Sequence, residues 1–165
     1  MTVEISFSNL WTYGKETRKR LPLSSLPHSY GHIHGRLCIL IGGRALPQLG
    51  YGGPDDACLG TWAQELASAV GTLSTSPDSG YLYDEGEQGQ PAFRFSRRGE
   101  TVYVSVVDSE ISDGAGDPDW QDGPCRFEDL HVQVEKLVKD LHEVVKAEAP
   151  SVAKYWRPSQ FLSRT

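Results

Sequence analysis

Apolar residues recur along this chain with two periods, and the switches between them mark the elements. In "VEISFSNLW", Val3, Ile5 and Phe7 alternate with Glu4, Ser6 and Ser8, the period-two pattern of a half-buried strand. The stretch from there to Tyr30 mixes Lys, Arg and Ser with two prolines and reads as a loop. "HIHGRLCILIGGRAL" resumes the alternation, with Ile33, Leu37, Ile39 and Ile41 on one parity and Leu40 on the other, as expected of a more central strand. Its "IGGR" predicts a hairpin, because adjacent glycines supply positive φ without steric cost.

The period then changes. Leu59, Trp62, Leu66, Ala69 or Val70, and Leu73 recur at helical spacing. Pro54 with Asp55 or Asp56 gives a start signal, acidic groups favouring the positive end of the helix dipole. A helix is expected from Asp56 to about Leu73, with Gly71 weakening its end. Three short strands follow in "GYLYD", "AFRFS" and "TVYVSVVD", and the short link "SRRGE" with Gly99 predicts that the last two form an antiparallel hairpin. Phe127, Leu130, Val134, Leu137, Val138, Leu141 and Val145 then repeat at 3.6 spacing, the strongest helical pattern in the chain, which Pro150 closes. The tail 151–165 carries Tyr155, Trp156 and Phe161, which are expected to pack back on the body.

The order ββαβββα with hairpin-scale links predicts an α+β fold: an antiparallel sheet of about five strands with two main helices on one face, in a single domain over residues 1–165. The length of 165 residues, 38% apolar and 23% charged, suits one globular domain and is too apolar for a disordered chain. The longest apolar run, "LCILI", falls far short of the roughly 20 residues a membrane helix needs, and "MTVEISFSNL" lacks the pattern of a signal peptide. Cys38, Cys58 and Cys125 are odd in number and widely spaced, as expected of reduced thiols in a cytoplasmic protein.

Charge divides the chain unevenly. Residues 1–50 hold six Lys/Arg against two Asp/Glu, residues 51–125 three against fourteen, and residues 126–165 seven against six. An acidic middle argues against nucleic acid as the main ligand, because phosphates are bound by clustered basic side chains. The one basic cluster, "KETRKR" from Lys15 to Arg20, reads as a solvated loop.

Two stretches could carry chemistry. His28, His32 and His34 in "HSYGHIHG" offer imidazoles of the kind that bind zinc or copper, and His32 and His34 would share one face of a strand. Ile33 pointing inward would turn both outward, which leaves surface histidines as the simpler expectation and a metal site or small enzyme as the alternative. Cys58 falls in a helical first turn, with no histidine placed beside it by spacing. No nucleotide, hydrolase or cofactor motif is present, so no cofactor is expected.

The second stretch is "DSEISDGAGDPDWQDG", which holds Asp108, Glu110, Asp113, Asp117, Asp119 and Asp122 and no basic residue. Its spacing fails the EF-hand pattern and the glycine-rich calcium repeat. The remaining readings are a solvated loop and a surface for a cationic protein partner, with Trp120 as the apolar anchor and Asp84, Glu85 and Glu87 extending the field.

In its α+β layout, its aromatic strands "GYLYDEGEQGQPAFRFSRRGETVYVSV" and its long final helix, the chain resembles the small acidic cytoplasmic immunity proteins of bacterial polymorphic-toxin systems. The resemblance implies a non-enzymatic, stoichiometric inhibitor that occludes the active site of a cognate basic toxin. The acidic residues and Trp120 above are the contact surface expected on that reading.

Overall fold

The computed structural model describes residues 2–16 and 18–162; Thr17 of the basic loop and the last three residues of the tail lie outside them. The first half forms one antiparallel sheet. Its strands β1 (Val3–Tyr13), β2 (Arg20–Pro22), β3 (His34–Ile41) and β4 (Arg44–Ala45) lie in the order β2-β1-β3-β4, and β5 (Ala57–Cys58) pairs with the start of β3. The second half supplies another sheet, in which β6 (Asp78–Tyr83), β7 (Ala92–Arg98), β8 (Thr101–Val107) and β9 (Gly123–Arg126) pair in sequence order. The α+β class and the antiparallel pairing are those the sequence predicts, and the principal elements follow the order ββαβββα. The strands divide between two sheets because a helix separates β5 from β6, and β6 pairs onward with β7 rather than back across the first sheet.

Both expected hairpins form. Gly42 and Gly43 take φ of 58° and 80° between the paired residues Ile41 and Arg44, as a two-residue turn with positive φ at both positions requires. Arg98 pairs with Thr101 around Gly99. The stretch read as a loop after β1 holds β2 and a short 3-10 helix, Leu23–His28, which buries Leu23 and Leu26.

The first long helix, α1, runs from Leu59 to Ser74, three residues later than the pattern suggests. The cause is the β3–β5 ladder: Ala57 and Cys58 are committed to pairing with Gly35 and His34 and cannot also enter the helix. Gly71 does not end α1 early; it is buried within it. The second long helix, α2 (Phe127–Glu148), buries all seven residues of the predicted stripe, each contributing on the order of 1.5–3 kcal/mol. Contacts of α1 with β3, β6, β7 and α2 join both sheets to one hydrophobic core. The tail forms a 3-10 helix, Pro150–Trp156, and a short α3 (Pro158–Leu162). It returns Phe161 to the core and Trp156 to the core edge, but leaves Tyr155 exposed.

The first sheet carries one irregularity. The β1–β3 register slips between Ser8 and Trp11, with Asn9 at φ 54°. Gly35 lies against this bulge, where a Cβ would come within 2.8 Å of the Ser8 carbonyl and of Leu10. The slip sets Trp11 directly opposite His34.

Candidate metal centre

Two pairs of side chains converge where β5 meets β3. His32 and His34 stand two residues apart leading into β3, and Asp56 and Cys58 stand two apart leading through β5. A period of two puts each pair on one face, and the ladder sets His34 directly across from Cys58. The odd positions Ile33, Leu37, Ile39 and Ile41 are buried in the core, so the histidines turn to the opposite face, as the sequence predicts.

That face is not open at His34. Trp11 stacks on its ring with centroids 4.8 Å apart, Tyr13 meets it edge-on at 5.0 Å, and the whole residue is 6% exposed. Burial holds the His34 imidazole below the usual histidine range, against the opposing pull of Asp56. The ring is therefore neutral near pH 7. Its Nδ1–H donates to Asp56 Oδ1 at 2.8 Å, which leaves the Nε2 lone pair free. Asp56 is itself held by the Gly52 N–H at 3.2 Å. A histidine oriented by a carboxylate on its other nitrogen is the usual arrangement of a metal-ligating histidine.

His32, His34 and Cys58 each place a ligand atom within 4.8 Å of the other two. Tetrahedral zinc, with bonds of about 2.0–2.3 Å, needs donors roughly 3.3–3.8 Å apart. Of the three, His34 and Cys58 are buried and His32 is exposed, so His32 is free to swing in and close the set. The Cys58 sulfur accepts a hydrogen bond from the Thr61 hydroxyl at 3.2 Å, and Cys58 is the N-cap residue of α1 without a side-chain cap bond. The donors open onto a cleft of about 250 Å³ whose far side carries Tyr51, Glu85 and Glu87. Tyr51 and Tyr83 both donate their phenolic protons to Glu85 Oε2. Burial, then the Glu85 carboxylate, drives both phenols above the usual tyrosine range, so they remain protonated donors.

The sequence-predicted histidines are thus only partly brought together. His28 is exposed at the end of the 3-10 helix and takes no part in the group; its place is taken by Cys58. Spacing could not reveal Cys58, because it lies 24 positions along the chain from its cross-strand partner His34. The signal available in the sequence was the twinned i, i+2 pattern of "HIH" and "DAC".

In the acidic stretch, Asp108, Glu110, Asp113, Asp119 and Asp122 are exposed and Asp117 is half-buried. Several of these carboxylates organise the loop: Asp108 accepts the Gly116 N–H, Asp117 the Asp119 N–H and Asp122 the Ser105 hydroxyl. Asp84 joins them by accepting from Ser109 and Glu110. Trp120 is not a displayed anchor. It is 5% exposed and belongs to the core, with the Arg44 guanidinium 4.6 Å over its ring and donating to the Asp119 carbonyl. A ring already packed against Gly123 and covered by Arg44 has no apolar face left to offer.

No helix among the described residues is long and apolar enough to cross a membrane. No family model, curated protein or solved structure matches the chain.

Proposed function

We propose that the protein binds one divalent metal ion of the zinc class through His32 Nε2, His34 Nε2 and Cys58 Sγ, with Asp56 orienting His34. The observation that carries this reading is the free Nε2 of a buried, neutral His34 facing a cysteine across the ladder. One thiolate and two imidazoles form a borderline-soft set suited to zinc, and three protein donors leave a fourth position for an exchangeable ligand. The three unpaired thiols, Cys38, Cys58 and Cys125, suit a reducing compartment such as the cytoplasm.

Metal analysis of the purified protein tests this. About one zinc per chain is expected, and the cobalt-substituted protein should show tetrahedral visible bands and a sulfur-to-cobalt charge-transfer band. Cys58→Ser should abolish the charge-transfer band, His34→Ala should abolish stoichiometric binding, and His28→Ala should change neither. Failure to retain zinc or to take up cobalt at micromolar concentration refutes the site.

A second reading, capture of a cationic partner such as a cognate toxin, is supported by the five exposed carboxylates of the acidic stretch, none of which forms an ion pair among the described residues. On this reading the carboxylates act without Trp120. Reversing the charge of Asp113, Asp117 and Asp119 should weaken binding of the product of the adjacent reading frame; unaltered affinity rules the loop out as the interface.

A further inference from the structure

Glu85 satisfies two phenols with a single oxygen. It follows the end of β6 and is half-buried on the wall of the metal cleft. Two phenols, from Tyr51 and Tyr83, both donate to the same oxygen, Oε2. Oε1 has no hydrogen-bond partner among the described residues. Two donors on one oxygen orient the carboxylate and leave the second oxygen available as a proton acceptor. The cleft lining also limits the chemistry. It contains no lysine or arginine among the described residues, while Asp56, Glu85 and Glu87 are acidic. That acidic lining works against anionic phosphate substrates, for which a bound metal would have to supply the cationic clamp. An acyl carbon needs only a polarised carbonyl and an activated water.

We propose that the cleft hydrolyses amides or esters of uncharged or cationic compounds, with Glu85 as general base, a reading that rests on the metal site above. Glu85 Oε1 takes a proton from water held at the fourth metal position. The resulting hydroxide oxygen forms a bond to the acyl carbon, whose carbonyl electron pair moves to its oxygen beside the metal. As that oxygen re-forms the carbonyl, the bond to the leaving nitrogen or oxygen breaks, and Glu85 returns its proton to the leaving group. The products are a carboxylic acid and an amine or alcohol, and no oxidant or second substrate is consumed.

The experiment compares zinc-loaded and metal-free protein on an uncharged 4-nitrophenyl ester, lysine 4-nitroanilide and a succinylated alanine 4-nitroanilide. Metal-dependent turnover is expected on the first two and not on the anionic third. Glu85→Gln keeps an acceptor for both phenols and should retain zinc, while lowering kcat by roughly 10²–10⁴-fold with KM little changed. Acetohydroxamate, which chelates through an open metal position, should bind the zinc-loaded protein and not the metal-free one; this measurement stands even if the Glu85 variant folds poorly. Stoichiometric zinc with no turnover above the metal-free protein, or with no hydroxamate binding, overturns hydrolysis and leaves a closed zinc site in which a group such as Glu87 fills the fourth position. Unchanged kcat in Glu85→Gln overturns the role of Glu85. Absence of zinc binding overturns the underlying metal site and the hydrolysis with it.

Discussion

Replacing Asp56 by Asn isolates the contact on which the proposed metal site depends. The Nδ1–Oδ1 bond is 2.8 Å long, between side chains only 8% and 14% exposed, so water cannot readily substitute for the lost charge. A charge-assisted hydrogen bond contributes about 1.5–3 kcal/mol and a neutral one about 0.5–1.5 kcal/mol, a difference of about 1–1.5 kcal/mol. Asn can also rotate to present its NH2 group, which favours the tautomer with the proton on Nε2 and withdraws the ligand. Together these place the loss in zinc affinity at about 10–100-fold, or roughly 1.4–2.7 kcal/mol. With the NH2 group turned to His34, the amide oxygen takes the place of Oδ2 and accepts the Gly52 N–H, so the metal-free protein should melt within a few degrees of wild type. The assay is competition for zinc against a chromophoric chelator at fixed pH, with thermal melts of both metal-free proteins. An Asp56→Asn protein that binds zinc as tightly as wild type, while Cys58→Ser weakens binding, would show that His34 does not coordinate through Nε2.

Further outcomes stem from the packing. Trp120→Ala should destabilise the fold by about 3–5 kcal/mol in urea unfolding, the range for a buried aromatic; a change under about 1 kcal/mol would return Trp120 to the surface. Burial pushes the Cys125 thiol up to about 12 and the Tyr81 phenol up to about 12, the latter with help from Glu65. The unfolded chain therefore releases these protons first as pH rises. Their contribution to stability is complete below about pH 9 and is lost as pH climbs toward 12. Melting temperature should fall steeply above pH 9, and Cys125→Ala should flatten that fall. In native protein a thiol reagent should modify the half-buried Cys38 and spare Cys125; prompt labelling of Cys125 would contradict its burial.

Much of the framework was legible because local rules and tertiary packing agree. The α2 stripe, the Gly42–Gly43 turn and the β7–β8 hairpin each follow from residues within a few positions of one another. The late start of α1 was hidden, since Ala57 and Cys58 read equally well as a helical first turn until β3 claims them. Trp120 misled for a similar reason. Six neighbouring carboxylates mark its segment as surface, yet Arg44, more than seventy residues away, covers the ring. Half of the candidate metal site was visible in the "HIH" pattern. The other half required knowing which strand lies beside it, and His28 was attractive only because it is close in sequence.

The two walls of the cleft come from different sheets. Tyr13, His32, His34, Asp56 and Cys58 belong to the first sheet and its edge, whereas Glu85 and Glu87 lie beyond the end of β6 in the second. Two hydrogen bonds already cross the divide, from Tyr51 to Glu85 and from Gln90 Nε2 to the Gly50 carbonyl at 3.0 Å. An occupant gripped from both sides would act as a rivet between the sheets. Parting of the walls and escape of the occupant would then be one event. The cleft's residence time would be set by the breathing of the domain as well as by the ligand's own bonds.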